Sequence, residues 1–260
     1  MWLVIALGVL VGLPMGMTGA GGGMLAVPLL VFGLGISITA AVPIALLGVA
    51  LAAWLAAVMG LRAGLVRYRA ALLMALAGVL VAPLGVWLSH RLDQRLLAAV
   101  FALVLVYVAY KTVRDRHEVA LDNSLPCTLG EDTGRFVWTS RCSRSVLLSG
   151  GLAGFMSGLV GVGGGFVLVP ALQRISPLGM RSVVATTLTV IALVSTSIVT
   201  ASLIGGQLDE QLALTFSIGA VTGLVLGHAL AGKLGQGLIE GGFALLAVLA
   251  ALLLLLHSFA

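Results

Sequence analysis

Apolar stretches of about twenty residues, the length that crosses a hydrocarbon core, recur along this chain of 260 residues. Lipid offers no partner to backbone N–H and C=O groups, so such a chain must satisfy them within helices or a closed barrel. The stretches are rich in Leu and Ala and do not alternate apolar with polar residues, which disfavours a barrel. Composition agrees, with 60% hydrophobic and 9% charged residues, where a soluble domain carries roughly a quarter charged. The fold class that follows is all-α, a polytopic transmembrane helical bundle. Met1 to Ala20 has the length of a signal peptide, but it lacks a positive n-region and its pattern recurs deep in the chain. We therefore count it as part of the fold.

Comparing the chain with itself organises the rest. A shift of 142 residues aligns Gly16-Met-Thr-Gly-Ala-Gly-Gly-Gly-Met-Leu-Ala-Val-Pro-Leu-Leu30 with Gly158-Leu-Val-Gly-Val-Gly-Gly-Gly-Phe-Val-Leu-Val-Pro-Ala-Leu172, identical at eight of fifteen positions. The same shift pairs Gly8 and Gly12 with Gly150 and Gly154, and Gly85 with Gly227. It also pairs Leu92–Leu103 with Leu234–Leu245. One offset holds from near the start to near the end, which is the mark of duplication. The first transmembrane repeat is 1–110, a polar linker is 111–144 and the second repeat is 145–260.

Each repeat reads as five segments, at 2–18, 23–36, 40–60, 70–89 and 95–110, then at 145–161, 166–174, 182–204, 211–231 and 238–257. The net charge of +5 does not point to nucleic acid, because the basic residues sit in short connections between apolar runs, where they set topology. If the loop with Arg62, Arg67 and Arg69 faces the cytoplasm, 12 of the 14 basic side chains, these three included, lie on that side. The linker is then cytoplasmic and both termini are periplasmic, in an inner membrane. Equivalent loops have opposite charge character: 61–69 is basic, and its counterpart carries Asp209 and Glu210. Five segments per half and opposite polarity imply inverted repeats, related by an axis in the membrane plane. Cys127 and Cys142 make a poor metal motif and are read as ordinary loop thiols.

The chief candidates for chemistry are two corners, Gly19, Gly21, Gly22 and Gly23, and Gly161, Gly163, Gly164 and Gly165. Three consecutive glycines cost a helix about 1 kcal/mol each relative to Ala, so these stretches are expected to be broken or re-entrant helices. A helix that restarts there offers unpaired amides and a positive partial charge, which suit an anion. Irregular backbone at membrane depth survives only where protein buries it or it lines a polar cavity. Gly8, Gly12 and Gly16, with Gly150, Gly154 and Gly158, read instead as close helix packing. The corners are not a nucleotide-binding loop, since no strand precedes them and no Lys-Ser/Thr follows.

One second-half segment is rich in hydroxyls: Thr186, Thr187, Thr189, Ser195, Thr196, Ser197 and Thr200. Such side chains either line a polar path or bond back to the preceding turn. Thr186 and Thr187, close to the segment's start, are the candidates for substrate contact. The first-half segment has Val42 and Pro43 near its start, so a site here would be asymmetric. His228 and Glu240 lie near segment ends, within reach of the interface. No nucleophile–base set, metal-spaced group or carboxylate pair occurs in a span, which argues against an enzyme and calls for no metal or cofactor.

The duplicated motif resembles that of the sulfite exporter TauE/SafE family of membrane permeases. It reads as Gly16, Gly19, Gly21 to Gly23, Val27, Pro28 and Leu30, and again as Gly158, Gly161, Gly163 to Gly165, Val169, Pro170 and Leu172. The resemblance covers nearly the whole chain outside the linker. It implies transport of sulfur-containing anions such as sulfite and organosulfonates, usually as export. It also implies a small hydroxylic step at the start of a third segment, which Thr186-Thr187 fits and Val42-Pro43 does not. The expected function is a carrier that alternates access between the repeats, with a small anion and the bilayer as partners. A passive anion channel and a non-transporting scaffold that docks through the linker are the alternatives, and a homo-oligomer is compatible with all three.

Overall fold

The computed structural model describes residues 1–18, 22–93, 126–129, 136–161, 163–204 and 209–231, together with isolated positions between 95 and 110. Four helices form the first half: α1 (Trp2–Thr18), α2 (Gly22–Leu34), α3 (Ile38–Arg62) and α4 (Tyr68–Arg91). The described positions between 95 and 110 are helical as well. A two-stranded ribbon, β1 (Thr128–Leu129) and β2 (Phe136–Val137), lies within the linker. The second half holds α5 (Ser140–Val160), α6 (Gly165–Ile175), α7 (Met180–Ile204) and α8 (Glu210–Ala231). Side chains start three of these helices. Ser37 accepts from the Ala40 amide, Thr139 from the Cys142 amide and Asp209 from the Leu212 amide, each binding one of the donors a helix start leaves free.

Among the described residues α3, α4, α7 and α8 are long and apolar enough to cross a membrane. Most of the expected segments are matched to within a few residues. α5 begins at Ser140, inside the stretch read as linker. The segment at 166–174 is the short helix α6, 11 residues and about 16 Å long. The expected segment at 238–257, with Glu240, lies outside the described residues.

Each half is closed by a helix of the other. α1 packs against α8, and α4 against α5. A Cβ built on Gly8, Gly12 or Gly16 would lie against the backbone of Phe216, Ala220 and Leu224 in turn, so α1 and α8 run parallel. A Cβ on Gly150, Gly154 or Gly158 would strike the backbone of Met74, Gly78 and Ala82. These are the same contacts moved by 142 residues. Small residues let backbones approach this closely, and in lipid that contact replaces a hydrophobic driving force. The six glycines read as packing residues therefore do pack. Phe216 is fully buried, its carbonyl facing Gly8 and its ring filling the space in front of Gly48.

α3 and α7, equivalent helices, cross each other at the centre. Gly60 near the end of α3 meets Ala185 near the start of α7, so the two run antiparallel. Trp54 Nε1–H donates to Thr196 Oγ1 at 3.0 Å, across a separation of 142 residues. Two positions equivalent under the 142-residue shift thus touch each other.

One expectation is corrected. Cys127 and Cys142 are not separate thiols but a disulfide, with both residues fully buried. The β1–β2 ribbon, pairing Thr128 with Val137 and Leu129 with Phe136, turns the chain back towards the first turn of α5. The Cys127 amide also donates to the Ile175 carbonyl at 2.9 Å, which ties the linker to the end of α6. A separation of 15 residues carries no sign of that return.

Candidate functional site

The second glycine corner is a true break between helices. α5 ends on Gly161, at φ 72°, whose amide donates to the Ser157 carbonyl at 2.8 Å. Gly163 and Gly164 have φ 73° and 71°, and Gly164 caps the start of α6. A left-handed backbone costs an L-residue about 1–2 kcal/mol, so this corner needs its glycines. Helix α6, starting at Gly165, leaves its first amides without an intrahelical acceptor.

The corner sits at the crossing of the two central helices. A Cβ on Gly163 would lie 3.1 Å from Val49 Cγ1 and 3.2 Å from Ile191 Cγ2. Val49 and Ile191 are equivalent under the 142-residue shift, each the twelfth of 25 residues in its helix. Gly161 lies against Val42. A Cβ on Gly164 would lie 2.7 Å from the Ala153 carbonyl oxygen, so α6 starts hard against α5.

The first corner follows the same plan as far as it is described. Gly19 and Gly21 lie outside the described residues, and Gly22 and Gly23 are buried in the first turn of α2. Gly22 abuts Val11 and Met15, just as its counterpart Gly164 abuts Ala153. Gly33 abuts Leu7, so α2 doubles back along α1.

The hydroxyls of α7 sort into two kinds. Thr189, Thr196, Ser197, Thr200 and Ser202 each donate to a carbonyl one turn back, as hydroxyls in membrane helices commonly do. Thr186 Oγ1 accepts the Arg67 amide at 3.1 Å, tying α7 to the start of α4. Thr187 and Ser195 do neither. Both are fully buried, and neither hydroxyl has a hydrogen-bond partner among the described residues. Ser157, in the last turn of α5, is in the same condition. A buried hydroxyl without a partner costs about 1–3 kcal/mol, and one of the three, Ser195 Oγ, lies 3.7 Å from the Cβ position of Gly163 in the corner.

Sequence reasoning singled out Thr187, ranked Ser195 below it and passed over Ser157. It also passed over Arg67, whose Nε is buried and unpartnered. No composition or spacing separates Thr187 and Ser195 from the five hydroxyls that bond backwards. His228 is exposed on the last turn of α8, with its backbone against Gly16.

The two ends of the central crossing differ. Where α3 ends and α7 begins, Gly60 is shut against Ala185 and Val66. The positions equivalent to Gly60 and Ala185 are Ser202 and Pro43. At the opposite end these two line a crevice of about 20 Å³ with Thr39, Ser89, His90 and Gly158.

Comparison with known proteins agrees with this architecture. A family model described as Sulfite exporter TauE/SafE matches residues 4–254. A protein of Xylella fastidiosa strain Temecula1, named Probable membrane transporter protein, is 28% identical over 263 residues, covering 99% of this chain and 96% of its own length. A protein of the same name from strain 9a5c is 27% identical over 271 residues, with the same coverage. No solved structure matches the chain significantly.

Proposed function

This chain belongs to the sulfite exporter TauE/SafE family, a family of multi-pass membrane transporters, and from that premise we propose that it exports small sulfur-containing anions such as sulfite or organosulfonates. The substrate-binding residues in this reading are the second corner, Gly161 and Gly163 to Gly165, its counterpart Gly19 and Gly21 to Gly23, and Thr186 and Thr187. The observation that carries it is the broken helix between α5 and α6, held at the mid-length of α3 and α7. A helix start buried at that depth offers amide donors and a positive dipole end to an anion, and discontinuous helices at a repeat interface commonly form such sites.

The halves work as inverted repeats. Antiparallel crossing of the equivalent helices α3 and α7 supports this, as do the matched seams α1–α8 and α4–α5. The face with Arg62, Arg67, Arg69, Arg174 and Arg181 is cytoplasmic by the positive-inside rule. On that orientation the crevice beside His90 lies at the periplasmic end, and the close contact of Gly60 with Ala185 at the cytoplasmic end. Unequal ends of a pseudo-symmetric path are what alternating access requires. An inside-negative potential drives anion export by about 2.3 kcal/mol per charge per 100 mV. The chain acts as a carrier and not as an enzyme.

The test is flux of radiolabelled sulfite and methanesulfonate in proteoliposomes holding the full chain under an imposed potential. Saturable flux that reverses with the sign of the potential is the expected result. Flux no greater than in protein-free vesicles would overturn the proposal.

A further inference from the structure

We infer that Val42 and Ile198 form the periplasmic gate of the transport path, an inference that rests on the transport reading above. These two side chains part the second glycine corner from the crevice beside His90. Val42 belongs to both places. Its Cγ2 lies 2.7 Å from the Cβ position of Gly161, and the same residue lines the crevice. Ile198 is buried and lines the crevice from α7.

α7 leads from one place to the other along a single stripe. Residues 191, 195, 198 and 202 are spaced by four, three and four, which keeps them on one helical face. The first two face the corner: the Cβ position of Gly163 lies 3.2 Å from Ile191 Cγ2 and 3.7 Å from Ser195 Oγ. The last two, Ile198 and Ser202, line the crevice. Ser195 and Ile198 stand about 4.5 Å apart along the helix axis, so one turn of α7 separates corner from crevice. α3 repeats the pattern. Val49 faces Gly163, Val42 faces Gly161, and Val42 shares the crevice with Thr39.

Polar groups stand on both sides of this apolar pair. The crevice wall carries Thr39, Ser89, Ser202 and His90. On the corner side, Ser195 Oγ is fully buried and has no hydrogen-bond partner among the described residues. An ion between two alkyl side chains loses its hydration and gains nothing in return, so a constriction lined by them stays shut until it widens. The cytoplasmic end is closed differently, by helix against helix where Gly60 meets Ala185. Side chains close the periplasmic end, so truncating either of them should open it.

The full chain is tested in intact cells with 2-sulfonatoethyl methanethiosulfonate, an impermeant thiol reagent that itself carries a sulfonate. Ser195→Cys and Ser202→Cys report on the two sides of the gate, and the chain without either gives the background from Cys127 and Cys142. Ser202→Cys should react about tenfold faster than Ser195→Cys, or more. Adding Val42→Ala or Ile198→Ala should raise the rate at Ser195→Cys about tenfold and leave the rate at Ser202→Cys unchanged. Val194 Cγ2 lies 2.8 Å from the Cβ position of Gly78, on another face of α7. Val194→Ala removes two methyl groups there, as Val42→Ala does at the gate, and should leave both rates as they were.

Ser195→Cys that reacts as fast as Ser202→Cys in the otherwise wild-type chain would show no barrier and overturn the inference. An unchanged rate at Ser195→Cys in both truncated chains would overturn it too, as would an equal rise with Val194→Ala, which would mean general loosening. No reaction at Ser202→Cys would show that the crevice does not face the periplasm. Each of these leaves the transport reading standing. Absence of sulfite flux from the wild-type chain in proteoliposomes, with the labelling rates as expected, would instead remove the transport reading and leave a barrier without a cargo.

Discussion

As far as the first is described, the two glycine corners start their second helix against the same place, and they differ in chemistry. Gly22 starts α2 against Val11 and Met15, and Gly164 starts α6 against Ala153 in the equivalent place. Where the second half has the unpartnered hydroxyls Ser157, Thr187 and Ser195, the first half has Met15, Ala45 and Ala53. Duplication has kept what packing demands, namely glycine where backbones meet or turn left-handed. It has not kept side chains whose role is outside packing. In the proposed reading, substrate contact therefore falls mainly in the second half.

The most damaging way to break this likeness is at the turn itself. Gly161→Val would force a β-branched residue to φ 72° and drive its side chain into Val42. The left-handed conformation and the overpacking together should cost up to about 5 kcal/mol. Gly35 has nearly the same φ, 67°, but nothing within 4 Å of its Cβ position. Gly35→Ala should cost only about 1 kcal/mol, chiefly backbone. Melting curves in detergent check the contrast. Equal losses would show that the corner's surroundings contribute nothing.

The seams sharpen the comparison next. Gly12 and Gly154 are equivalent, and each would place a Cβ against backbone of the helix opposite, Ala220 in one case and Gly78 in the other. Gly12→Val and Gly154→Val should therefore destabilise by similar amounts, about 3 kcal/mol each. A loss confined to one seam would show that the duplicated packing has diverged as far as the corners have.

Much of this was legible beforehand, for physical reasons that differ between features. Span length and hydropathy are dictated by the bilayer, so α3, α4, α7 and α8 could be read off directly. The glycines of the seams and corners are legible because no other residue meets their steric demand, and the 142-residue offset exposes them twice. The unpartnered hydroxyls were not legible. Thr187 and Thr189 look alike in sequence, and only the orientation that lets Thr189 reach the Ala185 carbonyl separates them. Arg67 was read as a topology signal, and its buried Nε shows only in three dimensions. The Cys127–Cys142 bond was missed because it depends on the ribbon that folds the linker back onto α5.

The linker has no counterpart in either half, and its disulfide tests which face is which. Its attachment to Ile175 puts it at the end of α6 that carries Arg174. That face is cytoplasmic in our reading, and cytoplasmic thiols are kept reduced. The disulfide of the folded linker should therefore be open in the cell: acid-quenched cells, redissolved in denaturing detergent and treated with a maleimide–polyethylene glycol reagent, should show both cysteines labelled without added reductant. Complete resistance to labelling would place the face in the periplasm and reverse the orientation. Oxidation in vitro should then raise stability by at most about 3 kcal/mol, the value for closing a loop of this length.

The smallest expected effect concerns a pair of equivalent residues with opposite charge. The 142-residue shift places Arg67 opposite Asp209. Both stand just before the fourth helix of their half, and the antiparallel course of the central helices sets them at opposite ends of the bundle. Asp209 caps α8 through the Leu212 amide at 3.1 Å, a local role. Arg67 gives its amide to Thr186, beside Thr187, and keeps its Nε buried without a partner. In the proposed reading, an anion approaching from the cytoplasm would meet this guanidinium before the second glycine corner. Arg67→Gln should lower kcat/KM for sulfite about fivefold at low salt, and the deficit should shrink as ionic strength rises, because screening weakens the same attraction in wild type. Asp209→Asn keeps a capping oxygen, and should leave both stability and flux close to wild type. If the two substitutions instead changed flux equally, with no dependence on salt, the charge at Arg67 would have no part in capture.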